Sequence, residues 1–388
     1  MKHNLLTTTT IAMLLASGAY AQETIKIGVL TPLSGTYAGI GQQVRWGIDQ
    51  SVEEINAAGG IAGRQIELVY EDSEANPAVA VTKAEKLFTV DNVDFLTGTV
   101  NSGATLAVGQ VADRADKLIA TTVSFSDAIT GSGCSPNVFR VNARAGQQSV
   151  ALAAWLKQEK PGAKVYYLGP DYEMGRSTVA AFKERAESVG ATSTGQVFAP
   201  LDSKDYSQYF GQLRAARPDV LYTSVAGNDT VRLFTQMNDF GVSDGLTILG
   251  ASGTVTAQNI NAIGAAAEGF ITGVGYSVLI DSPENKAFTE AFRERNGADP
   301  DLYGADSYGL LFAYKAAVEA AGATDTDSVR ASLEGLSWDT PQGTKTIRAG
   351  DHQAMQPMYV VEVKNGQFTI ARSIAGEDAI GPDTCDKF

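Results

Sequence analysis

The chain is poor in the residues that usually announce catalysis. Its 388 residues include two histidines and two cysteines. His3 belongs to the N-terminal leader described below, so a Ser-His-Asp triad would rest on His352 alone, in the polar stretch "RAGDHQAMQP" that reads as a solvated loop. The G-x-S-x-G turn of a hydrolase nucleophile is missing too, because "GTVNSG" does not fit it. Nucleotide signatures are also lacking: neither G-x-G-x-x-G nor G-x-x-x-x-G-K-[ST] follows a strand, and "GTYAGIG" near Gly35 has the wrong spacing and no lysine. Two isolated cysteines without a histidine pair give no zinc site. The acidic "YEDSEANP" (Glu71, Asp72, Glu74) lacks EF-hand spacing and reads as a solvated loop. The expectation is no metal, no cofactor and no enzyme.

Positive charge and long apolar runs are scarce as well. Thirty Lys and Arg face 44 Asp and Glu, a formal charge of −14. Such a chain repels nucleic acid and anionic lipid, which excludes both as partners. The longest N-terminal apolar stretch, Ile11 to Ala16, is too short to cross a bilayer. With Lys2 and His3 before it and Ala19-Tyr20-Ala21 after it, residues 1–21 read as a secretory leader cleaved near Ala21, giving an exported, periplasmic chain without membrane insertion. No cysteine stands at the cleavage point to carry a lipid. In an exported chain Cys134 and Cys385 read as a disulfide tying the C-terminal tail to the loop "GSGCSPN", with two free buried thiols as the alternative.

What the chain has is apolar rhythm. Hydrophobic residues make up 44%, enough for substantial cores. "IKIGVL", "IELVY", "DFLTG" and "LIATT" are short strand-like runs. Between them lie helical patterns such as Ile40 to Ala57, with Val44, Ile48, Val52 and Ile55 on one face and Gly59-Gly60 as its stop. Asn76-Pro77 caps and opens the next helix. A second series, "KVYYLG", "GQVFAP", "DVLYTSV", "TILGAS" and "GFITGVGY", repeats the rhythm around helices at Arg176 to Ser188, Tyr209 to Arg217 and Asp229 to Phe240. Residues 284–336 are mostly helical, with Ala305 to Ala321 the longest run, and "MYVVEVKNGQFTIAR" is a hairpin around Asn365-Gly366. The spacing predicts an α/β protein of two similar lobes with parallel sheets.

Ligands of open parallel sheets bind at the carboxyl ends of the strands. There the chain puts short polar groups and aromatics: Ser102 and Gly103 after "FLTGTVN", Ser124 and Phe125 after "LIATTV", Tyr172 after "VYYLGPD", Asn228 after "LYTSVAG", Ser252 after "ILGA", and Tyr276. Hydroxyls and N–H groups at helix starts suit a carboxylate, and the rings suit an apolar or aromatic body. For each ring, ordinary core packing is the competing reading.

The long segment from "IKIGVLTPLSGTYAGIGQQ" through "INAAGGIAGRQIEL" to "TKAEKLF" resembles the N-terminal lobe of leucine/isoleucine/valine-type periplasmic solute-binding proteins, the receptors of ABC importers. "NVFRVN", "DYEMGRSTVAAFK", "RPDVLYTSVAGND" and "AAEGFITGVGY" follow in that family's order. The resemblance implies two Rossmann-like lobes joined by a three-crossing hinge, residues 24–141 with 276–344 in one and 142–275 with 345–388 in the other. It implies closure on a small carboxylate, transient docking on an ABC permease, and no cofactor. Position by position it makes Ser102 the carboxylate clamp, the loop Thr122 to Ser126 the second clamp with Ser124 as donor, and Tyr172 the closing aromatic. Phe125 departs from the usual small residue of that loop. Ser252 stands where amino-acid binders carry an acid for the ligand ammonium, which favours a carboxylate without an amino group unless Asp229 supplies the charge. The same fold also serves as the soluble sensing subunit of regulatory systems, the alternative function.

Overall fold

Residues 24–388 are described by the computed structural model. The leader read over residues 1–21 lies outside them. Strand and helix alternate as the apolar rhythm requires: β1 (Ile25–Thr31), α1 (Ala38–Ala57), β2 (Ile66–Asp72), α2 (Pro77–Thr89), β3 (Phe95–Thr97), α3 (Ser102–Ala115), β4 (Leu118–Thr121) and β5 (Val138–Arg140). These five strands form one parallel sheet in the order β2-β1-β3-β4-β5. The second series is α4 (Ala145–Glu159), β6 (Lys164–Pro170), α5 (Glu173–Ser188), β7 (Thr192–Ala199), α6 (Ser207–Ala216), β8 (Val220–Thr223), α7 (Asn228–Asp239), β9 (Thr247–Gly250), α8 (Ile260–Ile263) and β10 (Ile271–Val274). Then come α9 (Pro283–Asn296), α10 (Leu302–Ala321), α11 (Thr326–Leu333), β11 (Ser337–Thr340), β12 (Gly343–Ile347), β13 (Ala354–Met355), β14 (Met358–Lys364), β15 (Gln367–Ile374) and α12 (Gly376–Ala379). The second sheet runs β15-β14-β10-β9-β8-β6-β7, parallel from β10 to β7 and antiparallel at the β14–β15 edge.

Local chemistry explains several boundaries. The Asn76 side chain accepts from the N–H groups of Ala78 and Val79, capping α2 ahead of Pro77. Asn365 and Gly366 both have positive φ, 53° and 72°, as the tight β14–β15 turn requires. Helices α1 and α10 cross where a Cβ on Gly47 would stand 2.2 Å from the Gly304 carbonyl oxygen, so only glycine permits the approach. The starts of the two helices, at Gly39 and Ile40 and at Asp301 and Tyr303, border one space.

The chain passes between the halves three times: after β5, after β10 and after β13. The expected last boundary, 344/345, falls inside β12, which pairs with β11 on one edge and β13 on the other. Ile347 and Ala354 pack in the core of the first sheet, so the third crossing lies beyond Met355. Two local expectations are corrected. His352 is fully buried: its ring stacks on Phe139 with centroids 3.9 Å apart, and its nitrogens face the Val138 carbonyl and Glu334. The acidic loop is bonded and not merely solvated, with Glu71 paired to Lys83 and Lys86, and Asp72 accepting from Leu33, Ser34 and Glu74. Cys134 and Cys385 are joined by a disulfide, their Cα atoms 5.8 Å apart. Arg144 also holds the tail through the carbonyls of Ile380 and Pro382.

Next to the crossings, Lys345 and Asp306 form an ion pair, both side chains 2% exposed. Lys345 also donates to the Val141 carbonyl at 3.0 Å, and Gln342 donates to Asp306. Replacing Asp306 with Ala strands the ammonium in the interior and is expected to cost about 3–5 kcal/mol, read as a lowered midpoint in denaturant; replacing both members with Met should recover much of it. For His352, burial holds the imidazolium below its ordinary pKa of 6.5. The unfolded chain therefore binds the proton first, and stability falls as pH drops below about 6.5. His352→Asn, which tolerates the local φ of 56°, should flatten the melting temperature profile between pH 7 and 5, whereas parallel profiles would rule the imidazole out as the cause.

Candidate functional site

Four helices begin around the space between the two sheets, and each brings its own cap there. Tyr37 caps α1, Tyr172 caps α5, Gly227 (φ 63°) caps α7 and Asp301 caps α10. Their positive dipole ends favour an anionic or electron-rich ligand without any basic side chain. No Lys or Arg is among the residues that line the spaces described next.

One narrow space between the lobes is walled by Tyr37, Ile40, Val100, Val123, Phe125, Tyr172, Met174, Ala226 and Tyr303. Phe125 and Tyr303 stack with centroids 6.2 Å apart, and Tyr37 and Tyr172 share a hydroxyl hydrogen bond of 2.9 Å across the cleft. Burial raises the pKa of both of these phenols, so they keep their protons. A neighbouring space shares Ile40 and Tyr303 and adds Asn228, Thr256, Asn259 and Asp301. A third is lined by Ser252 and Tyr276 and again by Asp301.

The sequence candidates thus separate. Phe125 and Tyr172 meet in the aromatic space, Asn228 lines the second, and Ser252 and Tyr276 line the third. Ser102, Gly103 and Ser124 line none of these spaces, although Val100 and Val123 beside them do. Ser102 is the first residue of α3. Asn101 caps that helix through Ala104 N–H, and among the described residues the N–H groups of Ser102 and Gly103 have no acceptor. The Ser102 hydroxyl accepts from Ser126 N–H at 3.2 Å and keeps its own proton to donate. Ser124 is spent internally: its hydroxyl bonds Thr105 at 2.6 Å and the Val100 carbonyl at 3.1 Å. Ser252 donates to the Gly273 carbonyl at 2.5 Å, and the Tyr276 hydroxyl meets Thr289. Asp229 does not offer a free charge, because one oxygen accepts from Asp202 N–H and the other from Arg232.

The residues missed from sequence are Tyr37, Tyr303 and Asp301. Asp301 is 5% exposed; one oxygen accepts from Tyr303 and Gly304 N–H, and the other has no partner. Burial pushes its carboxyl up to about 7, Asp306 adding to the rise and the two N–H donors opposing it. An Asp followed by the apolar pattern of α10 is a capping signal that "DPDLYGAD" does carry.

The halves touch across the cleft through further polar contacts. Ser126 donates to Glu173 at 2.6 Å, Asp127 N–H to Ser177 at 2.9 Å, and Thr36 to Asp202 at 2.9 Å. This is a cleft between two lobes, aromatic at its centre and ringed by small polar groups.

Known proteins share this architecture. A Leu/Ile/Val-binding protein homologue of Brucella melitensis is 28% identical over 335 residues, 85% of this chain and 88% of its own. A solute-binding protein of an ABC transporter from Rhodopseudomonas palustris BisB5, solved with 3,4-dihydroxybenzoic acid, superposes with a TM-score of 0.85 at 25% identity, covering 92% of this chain and 98% of that one. Another from strain HaA2, solved with p-hydroxybenzoic acid, gives 0.83 at 28% identity over 93% and 98%. The family model described as periplasmic binding protein matches residues 24–367, and this chain belongs to that family of binding proteins.

Proposed function

We propose that the protein is an extracytoplasmic solute receptor that closes its two lobes on a small carboxylate, with a hydrophobic or aromatic body, and delivers it to an ABC permease. The observation that carries this reading is the aromatic space walled by Tyr37, Phe125, Tyr172 and Tyr303, which Val100 also lines, two residues before the start of α3, where the N–H groups of Ser102 and Gly103 have no acceptor. The rings receive the flat or branched body, and the start of α3 with the Ser102 hydroxyl receives the carboxylate. The solved relatives bound to hydroxylated benzoic acids support the same ligand class. The closing bodies are residues 24–141 with 276–344, extended to 355 by the packing of Ile347 and Ala354, and residues 142–275 with the rest. The leader at residues 1–21 supplies export.

Closure follows from differential affinity, since a ligand that touches both lobes binds the closed state better. A thermal-shift screen of the ligand-stripped protein against aliphatic amino acids, aromatic carboxylates and short organic acids tests this. A true ligand at about 100 times its Kd stabilises by roughly 2.7 kcal/mol, a rise of several degrees. A panel in which nothing moves the midpoint overturns the reading. Tyr172→Ala removes the closing ring and one member of the Tyr37 pair, and should weaken the ligand found by roughly 10- to 100-fold in calorimetry with little change in the melting temperature of the free protein.

A further inference from the structure

The C-terminal tail does not end on the half that carries it. Helix α12 follows β15 and packs on α4 of the second half. The chain just beyond it is gripped there, because the Arg144 guanidinium at the cap of α4 donates to the carbonyls of Ile380 and Pro382 at 2.8 and 2.7 Å. After Pro382 the tail lies on the first half. Cys385 is bridged to Cys134 in the β4–β5 loop, the Phe388 ring rests on His352 with centroids 4.5 Å apart, and Thr384 sits where a Cβ on Gly131 would meet its hydroxyl at 2.7 Å. Only Asp383 and Thr384 separate the gripped Pro382 from the bridge. Three residue steps reach at most about 10 Å, so the tail has little slack.

The loop it reaches is one that shapes the cleft. Between Thr121 and Val138 that loop puts Phe125 into the aromatic space, and it sets Ser126 and Asp127 against Glu173 and Ser177 of α5 across the seam. Glu173, Cys134 and the tail residue Lys387 line one space, which places the end of the tail beside that seam. The seam consists of single hydrogen bonds that water replaces on opening. The bridge is covalent and has no such substitute.

We propose that the C-terminal tail is a fourth, covalently latched crossing, which bounds how far the Phe125 loop swings away from α5 when the cleft opens. This rests on the two-lobe closure proposed above and sets its limit. A narrower range of open states leaves less of the ligand's binding free energy to be spent on reaching the closed one.

A bridge that merely stabilises the fold would leave the opening untouched. Small-angle X-ray scattering of the ligand-stripped protein separates the two roles. It compares the oxidised wild type, the same protein reduced with dithiothreitol, and a variant with Gly-Ser-Gly-Ser inserted between Asp383 and Thr384. The insert keeps the bridge and lengthens an already large covalent loop at little cost in stability, but it gives the tail slack. The inserted and reduced forms should show a larger radius of gyration than the oxidised wild type, with the inserted form melting close to it. An inserted form that scatters as the wild type does overturns the proposal, even where the reduced form expands, because that expansion then reports lost stability. Should the inserted form fold poorly, Cys385→Ser, shown to be folded by a cooperative melt, takes its place, and equal scattering overturns the proposal in the same way. Neither result decides the receptor reading, which stands or falls on the thermal-shift screen.

Discussion

The guanidinium of Arg140 is the interaction on which the cleft depends. It is fully buried at the end of β5 and donates to the carbonyls of Ser124 and Ser126, to Thr130 and to Gln353. Burial drags its pKa down to about 9, with Asp127 and Asp351 holding it up. A cation in the interior is tolerated only when its donors are met, so the 124–130 loop and the chain near Gln353 must both come to it. That loop carries Phe125 into the cleft and Ser126 between Ser102 and Glu173. Gln353 lies at the approach to the third crossing and also donates to the Asn142 carbonyl on the first. One buried charge therefore sets a wall of the site and ties two strands of the hinge together.

The contacts that span the cleft are of a different kind. Tyr37 with Tyr172, Ser126 with Glu173, and Thr36 with Asp202 are single hydrogen bonds between short groups. Each contributes a net of about 1 kcal/mol, little beside the cores of the two halves. The interiors of the two halves do not share that reversibility. They are bound by parallel ladders and by apolar cores in which the aromatic side chains are almost wholly enclosed.

Much of the fold was legible because it is local. Most strands of both sheets, the Asn76 cap and the Asn365-Gly366 turn follow from neighbours in sequence, whereas the three-residue β5 carries no pattern long enough to read. Helices α5 and α10 begin three residues before their apolar pattern suggests; for α10 the cause is the Asp301 cap, which accepts from Tyr303 and Gly304 N–H. At the candidate site, the places of the side chains along the chain could be read and their partners could not. Ser102 keeps a donor as expected from its place at a helix start, whereas Ser124, Ser252 and Tyr276 have partners at Thr105, Gly273 and Thr289 that no spacing rule connects. His352 shows the same limit, since a polar stretch of sequence gives no hint that β5 will cover it with Phe139.

The disulfide has a mechanical consequence. Cys134 lies in the first half and Cys385 beyond the last strand of the second, so the bridge closes a covalent ring with a sequence separation of 251 residues. All of the second sheet and all three crossings lie on that ring. Tension applied through residues before Cys134 and after Cys385 runs through the bridge and bypasses the ring. In the oxidised protein the second half is shielded from such a load, and only reduction of the bond places it in the line of force.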